Sequence, residues 1–258
     1  MRTAMAIAAH PDDIEFCMSG TLMRLGQAGY KLHYMNVANG SVGTTNQDAE
    51  TIVRIRREEA IIAAESLGAT FHESLCNDIS IYYEPRTLAR VASIIRLVAP
   101  DILLTHSPSD YMEDHTNTCR LAVTAAFCRG MTNFAVDPHQ DPVGKSVTIY
   151  HAQPYTHNDP LRQLVVPEIF VDVTGLIDQK TAMLAKHQSQ KQWLDESQGQ
   201  DCYLTTMHDL DRQCGQMSQR YEYAEGWRRH SHMGFCDPDD DPLCEALGEF
   251  VVSRSVGL

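Results

Sequence analysis

The chain has 258 residues, 43% hydrophobic and 21% charged, enough for one large α/β domain or two small ones. Its 21 Lys and Arg against 34 Asp and Glu give a net charge of −13, which argues against nucleic acid or an anionic membrane as main partner and favours small molecules or cations. No stretch reaches membrane-span length, the apolar run before His10 is too short for a secretion signal, and the eight cysteines form no CxxC pair, so a cytoplasmic protein with reduced thiols is expected.

In chain order, TAMAIAA reads as a buried strand. DIEFCMSGTLMRLGQAG follows as a helix, with Ile14, Met18, Leu22 and Leu25 at helical spacing and Gly29 past its end. KLHYMNVA is a second strand and NGSVGTTNQ a loop. AETIVRIRREEAIIAAESLGA is a long amphipathic helix closed by Gly68, and TFHESL is a third strand. PRTLARVASIIRLVAP is a helix bounded by prolines. DILLTHS is a fourth strand, TNTCRLAVTAAFCRG the helix after it, and VTIYHAQ and EIFVDVT are later strands. The last third reads as helices, QKTAMLAKHQSQKQWLDES and LTTMHDLDRQCGQMSQRYEYAEGWRRH. This order predicts an α/β fold: a Rossmann-like, mostly parallel sheet flanked by helices. A single domain over 1–258 is expected, with a C-terminal helical extension from about 176 that covers the site or mediates a homo-oligomer.

Sites in such sheets sit at the carboxyl ends of strands, where both polar clusters of this sequence fall. The first is His10, Pro11, Asp12, Asp13 after strand one. If Pro11 opens a helical turn, His10 and Asp13 point the same way, and an imidazole with a carboxylate suits zinc. The second cluster, THSPSDYMEDHTNT after strand four, offers His106, Asp110, Asp114 and His115 as sources of a third ligand. Three protein ligands leave one position for water, the arrangement of a hydrolytic site, and zinc brings the water pKa toward neutrality. Asp12, left over beside the metal, suits a general base. HPDD alone also serves as a helix cap, an all-oxygen magnesium site fits His10 poorly, and no GxGxxG follows strand one.

Over residues 1 to about 190 the chain resembles the PIG-L, or LmbE-like, family of zinc-dependent N-deacetylases of N-acetylglucosamine compounds. The resemblance rests on AHPDD and the DH of DYMEDHTNT, with softer echoes in NGSVGT, IRREEAIIAAESLGA and LAKHQSQ. It implies a Rossmann-like fold, zinc (or another divalent transition metal in the cell) on His10, Asp13 and His115, and Asp12 as general base; the choice of His115 over His106 comes from the resemblance. It further implies that Arg56 reaches substrate hydroxyls and that Asp114 partners a histidine three residues before the third ligand. That histidine is Met112 here, and Ser41 stands where a Glu is common. His106, His157 and His230 are candidates to replace the missing donor; alternatively Asp12 is both base and acid, or the chemistry has moved away from amide hydrolysis.

Weaker signals each carry a structural alternative. Asp78, at a sheet end, suits a sugar hydroxyl or a turn. Arg56 and Glu59 also fit a helix face of ion pairs, and His187 and Gln190 a polar face or subunit contact. HSHM places two histidines at i and i+2, which share no helix face, and CDPDDDPLC lacks EF-hand spacing. YEYAEGW suits a sugar wall or packing. The expected activity is zinc-dependent removal of an N-acetyl group from a small amino sugar or its conjugate, with no nucleic-acid or membrane partner. The alternatives are a metal-dependent hydrolase or lyase on another glycoside or amide, and a non-catalytic sugar- or metal-binding module.

Overall fold

A computed structural model describes residues 1–198 and 202–254. The elements are β1 (Thr3–Ala8), α1 (Asp13–Cys17), α2 (Ser19–Gln27), β2 (Lys31–Asn36), α3 (Ala49–Ser66), β3 (Thr70–His72), α4 (Pro85–Val98), β4 (Ile102–Thr105), α5 (Glu113–Phe127), β5 (Thr148–Ala152), β6 (Ile169–Asp172), α6 (Ile177–Leu184), α7 (Gln188–Gln198), α8 (Cys202–Ser218), β7 (Ala224–Arg229), α9 (Pro242–Leu247) and β8 (Val251–Ser253). They build one eight-stranded sheet in the order β3-β2-β1-β4-β5-β7-β6-β8. The block β3 to β5 is parallel, as expected, and β7 enters antiparallel between β5 and β6.

β1 is wholly buried and pairs on both sides, with β2 and β4, so an unbroken apolar run suits it better than alternation. Its side chains still alternate between two cores. Ala4, Ala6 and Ala8 meet Ile14, Leu22, Tyr34 and Trp227, while Met5 and Ile7 meet Val91, Ile95 and Leu121. Each large aliphatic side chain so buried contributes about 1.5–3 kcal/mol. Helix limits follow local chemistry where it exists. Asp48 caps α3 by accepting from Thr51 N at 2.9 Å, and Glu84 caps α4 by accepting from Thr87 N at 3.0 Å ahead of Pro85.

Three segments differ from the sequence expectation. The first long helix is two, broken at Met18, because the Glu225 carboxylate caps α2 from 204 and 205 residues away, accepting from Gly20 N at 2.9 Å and Thr21 N at 2.7 Å. The helix expected over 179–197 divides into α6 and α7. The helix expected over 204–230 ends at Ser218, and its second half supplies β7. Gln219 is left-handed at φ 57, and the returning chain passes so close that a Cβ on Gly215 would sit 2.4 Å from Glu222 O. The C-terminal third therefore adds two strands, β7 and β8, beside its helices. The aromatic residues of YEYAEGW lie outside the cavity lining, and Trp227 is fully buried and donates Nε1–H to Thr21 Oγ1 at 2.9 Å.

Candidate metal-binding active site

β1 pairs with β2 on one side and β4 on the other, so the chain leaves β1 at a switch point where the sheet opens a crevice at its carboxyl edge. His10–Asp13 enter that crevice from β1, and the loop from β4 into α5 brings His106, Asp110 and the first helical turn with Asp114 and His115. The His10–Asp13 turn is tight: His10 N donates to Asp13 Oδ2 at 2.7 Å, Asp13 N donates to His10 O at 3.2 Å, and Asn36 Nδ2 donates to His10 O at 2.6 Å.

The structure brings His10, Asp13 and His115 together, their ligand atoms all within 4.8 Å of one another. His10 Nδ1 is 3.4 Å from Asp13 Oδ2, and His115 Nε2 is 3.4 Å from Asp13 Oδ1. Zinc bonds of about 2.0–2.2 Å in a tetrahedron space their donor atoms about 3.3–3.5 Å apart, so these contacts match ligand edges. Each imidazole is pinned on its other nitrogen by a carboxylate. His10 Nε2 lies 2.9 Å from Asp114 Oδ2, and His115 Nδ1 lies 3.0 Å from Asp110 Oδ1. This outer pairing fixes the tautomer that aims a lone pair at a metal, and the residues fit one.

His106, Asp110 and His115 form a second, overlapping group. Its members are otherwise engaged. His106 Nε2 accepts from Ala9 N at 2.9 Å, and its ring stacks on that of His115 at 4.1 Å between centroids and 6° between planes. Asp110 holds His115 and also accepts from Met112 N at 3.2 Å. His106 thus buttresses His115. With only side chains present, burial disfavours the cations of His10 and His115, yet the neighbouring carboxylates outweigh it and lift them to about 9 and about 10. Asp13 is held well below the usual range because His115, His10 and His106 overcome its burial.

Asp12 does not cap α1. Its backbone is left-handed, φ 116, and its side chain turns into the crevice. Oδ2 accepts from Tyr203 Oη at 2.7 Å, and Oδ1 lies 3.7 Å from Arg56 Nη2. Burial pushes Asp12 up to about 6, against the pull of Arg56. Arg56 is buried, not on a solvated face: it donates Nη2–H to Pro11 O at 2.5 Å and lies 4.0 Å from Asp78. Asp78 is fastened in turn by Gly40 N at 2.6 Å. This explains the glycines of NGSVG, since a Cβ on Gly40 would meet Arg56 Cδ at 2.4 Å and one on Gly43 would meet Arg56 Nη1 at 2.3 Å.

His10, Asp12, Asp13, Arg56, Asp78, His106, Asp110, His115 and Tyr203 line one cavity of about 430 Å³, together with Met112, Gln153, His157, Asp211 and Glu225. Of the three candidates to replace the missing histidine, His106 and His157 line it, whereas His230 lies elsewhere, paired with His151 at 2.9 Å. His187 is buried 3.3 Å from Glu15 and outside the lining, and Glu59 accepts from Ser189 N at 2.9 Å, tying α3 to α7. Neither HSHM nor CDPDDDPLC forms a metal group among the described residues; Asp241 caps α9 instead. Tyr203 was not foreseen, because nothing local marks a tyrosine 191 residues from its partner. Asp110 carried a usable signal, a carboxylate five residues before a histidine that could hold a metal.

Residues 5–127 match the family model described as PIG-L, GlcNAc-PI de-N-acetylase. Diacetylchitobiose deacetylase of Thermococcus kodakarensis is 28% identical over 204 residues, 74% of this chain and 70% of its own length. The 4-oxalmesaconate hydratase of Pseudomonas putida is 28% identical over 191 residues, 71% of this chain and 72% of its own. The solved N,N'-diacetylchitobiose deacetylase of Pyrococcus horikoshii superposes with a TM-score of 0.76 at 23% identity, covering 90% of this chain and 85% of that one, a likeness of fold. No helix among the described residues is long and apolar enough to cross a membrane.

Proposed function

We propose that this chain, whose residues 5–127 match the PIG-L family model, is a zinc-dependent hydrolase removing an N-acetyl group from an amino sugar or amino-sugar conjugate. The observation that carries the proposal is the pair of imidazoles, each fixed by an outer carboxylate and each turned toward Asp13. His10, Asp13 and His115 would hold the metal, which when bound supplies Lewis acidity toward an acyl oxygen and a water of near-neutral pKa.

The chain's own residues account for the proton movements. Asp12, raised to about 6 by burial, is poised to take a proton from water near pH 7 and return it to the departing amine. Tyr203 and Arg56 hold its two oxygens, so it enters the reaction already oriented. Asp78 keeps Arg56 in place by its fastening to the loop at Gly40, which makes both residues part of the substrate wall. Met112 contributes no proton, so Asp12 serves as base and then acid.

Acetate release from N-acetylglucosamine and from diacetylchitobiose, with and without chelator, tests the proposal. Acetate production that chelator abolishes and zinc restores is expected. Zinc-loaded protein silent on both substrates overturns it.

Met112 and the likeness to a hydratase favour a second reading, addition of water to an unsaturated acid. The lining weighs against it. Asp12, Asp13, Asp78 and Asp110 share one guanidinium, Arg56, already flanked by two of these acids, while Asp211 and Glu225 are matched by Lys180. A polycarboxylate meets like charge there, whereas a neutral acetamido sugar does not. Loss of absorbance from an unsaturated dicarboxylate, without acetate release from any amide, would decide for the hydratase.

A further inference from the structure

We propose that Gln153 and His157, in the cavity wall just past β5, form a hydroxyl-binding subsite that grips the polyol part of the substrate. The proposal rests on the amino-sugar reading above and names the groups that read the sugar.

Both side chains have one polar atom committed and one uncommitted. Gln153 donates Nε2–H to Val165 O at 2.5 Å, and His157 Nε2 lies 2.9 Å from Leu210 O, an acceptor that fixes the proton on Nε2. Gln153 Oε1 and His157 Nδ1 remain, buried and with no protein partner, on residues only 7% and 5% exposed. A buried acceptor without a donor is unfavourable, so a pair of them in one cavity wall marks a place where a ligand donates. Both are lone pairs, which selects hydroxyls. A carboxylate or phosphate would present lone pairs to lone pairs.

The backbone supports the assignment independently. Thr156 and His157 are consecutive non-glycine residues at φ 65 and φ 58, a strained pair. Hydrogen bonds from His157 N to Pro154 O and from Val165 N to His157 O hold the turn that carries the ring to the cavity. Gly226 leaves room for Gln153, since a Cβ there would sit 2.9 Å from Gln153 Cγ. Strain held by surrounding contacts, ending in an unpaired buried lone pair, is the pattern of a binding group.

The test is calorimetric titration of the zinc-loaded full chain with glucosamine and with cyclohexylamine, which keeps the ring and amine but lacks hydroxyls. Wild type is expected to bind glucosamine at least tenfold more tightly. Gln153→Leu and His157→Phe should each weaken glucosamine about three- to tenfold, the span of one hydrogen bond, and leave cyclohexylamine within twofold. His157→Asn, which tolerates the left-handed backbone, repeats the test should the phenylalanine variant fold poorly. Equal weakening of both amines, no weakening of glucosamine, or no wild-type preference overturns the subsite. Acetate release from N-acetylglucosamine is read separately. Silence there with hydroxyl-dependent binding intact removes the deacetylase reading and leaves the subsite. Acetate release with affinities indifferent to the variants does the reverse.

Discussion

Removing the carboxylates behind the imidazoles should weaken the metal without touching a ligand. Asp110 is almost wholly buried, and its Oδ1 sits 3.0 Å from His115 Nδ1. Asp110→Ala leaves that nitrogen without its anionic partner, so the ring loses both its preferred tautomer and the polarisation that makes Nε2 a better donor. Outer-partner loss typically lowers metal affinity 10- to 100-fold, or about 1.4–2.7 kcal/mol. Asp114→Ala should do the same through His10. The two imidazoles act on one ion from separate sides, so the double variant is expected to fall roughly 10²- to 10⁴-fold, less whatever the shared ion couples. Asp110→Asn keeps an acceptor but not the charge and should lie between wild type and alanine. His106→Ala is the control: with Nε2 engaged by Ala9 N, it should stay within about threefold of wild type. Competition against a chromophoric zinc chelator reads all five affinities. Wild-type zinc binding in Asp114→Ala, with the loss appearing in His106→Ala and Asp110→Ala, would refute the ligand set and move the ion to the group of His106, Asp110 and His115.

Asp12→Asn should keep zinc at wild-type stoichiometry and lower kcat about 10²- to 10⁴-fold, measured as acetate release; near-normal turnover removes Asp12 from the reaction. Tyr203→Phe deletes one hydrogen bond to that carboxylate, typically worth about 1.5–3 kcal/mol, and should lower kcat about tenfold or more with little change in KM. Steady-state kinetics showing a rise in KM alone would make Tyr203 a substrate contact instead. Lys180, fully buried, pairs with Asp211 at 2.7 Å and Glu225 at 2.8 Å; Lys180→Met strands two carboxylates and should destabilise by about 3–5 kcal/mol, seen as a melting temperature lower by on the order of 10 °C. An unchanged melt would show that the triad carries no net stability. Burial, aided by Glu225 and opposed by Lys180, raises Asp211 to about 7, against about 3.9 unfolded. The folded state then binds more protons between about pH 4 and 7, so this residue's contribution to stability declines as pH rises through that window. Urea midpoints at pH 5 and pH 7.5 should show Asp211→Asn gaining relative to wild type at the higher pH, and a constant difference contradicts the raised pKa.

The parallel half of the fold was readable because its signals are local. TAMAIAA is apolar throughout since β1 has neighbours on both edges and cores on both faces. Asp48, Pro85 and Gly68 mark helix ends by chemistry within a few residues of the boundary. The C-terminal third was misread in places because its signals are distant. Glu225 looks like one polar residue in a helical run, yet it caps α2, pairs with Lys180 and sits in a strand. No periodicity over eleven or eighteen residues can register a partner 204 positions away.

The site divides the same way. His10 and Asp13 were singled out by their spacing, and their meeting with the second cluster required β1 and β4 to be neighbours, as they are. Asp114 had no partner in the sequence reading, because Met112 stands where its usual histidine would be; in the fold its carboxylate reaches His10, a residue on another strand's end. The choice between His106 and His115 could not come from sequence, because it turns on which nitrogen a backbone N–H occupies. Arg56 shows why exposure is the least readable property. RIRREE has the composition of a solvated helix face, and three of its charges do face solvent, but Gly40 and Gly43 lie across Arg56 and convert it into the group that holds Asp12. A side chain added at Gly40 must displace that guanidinium, so Gly40→Ala should disturb Asp12 as surely as a change at Arg56 itself, from a residue whose own side chain touches nothing.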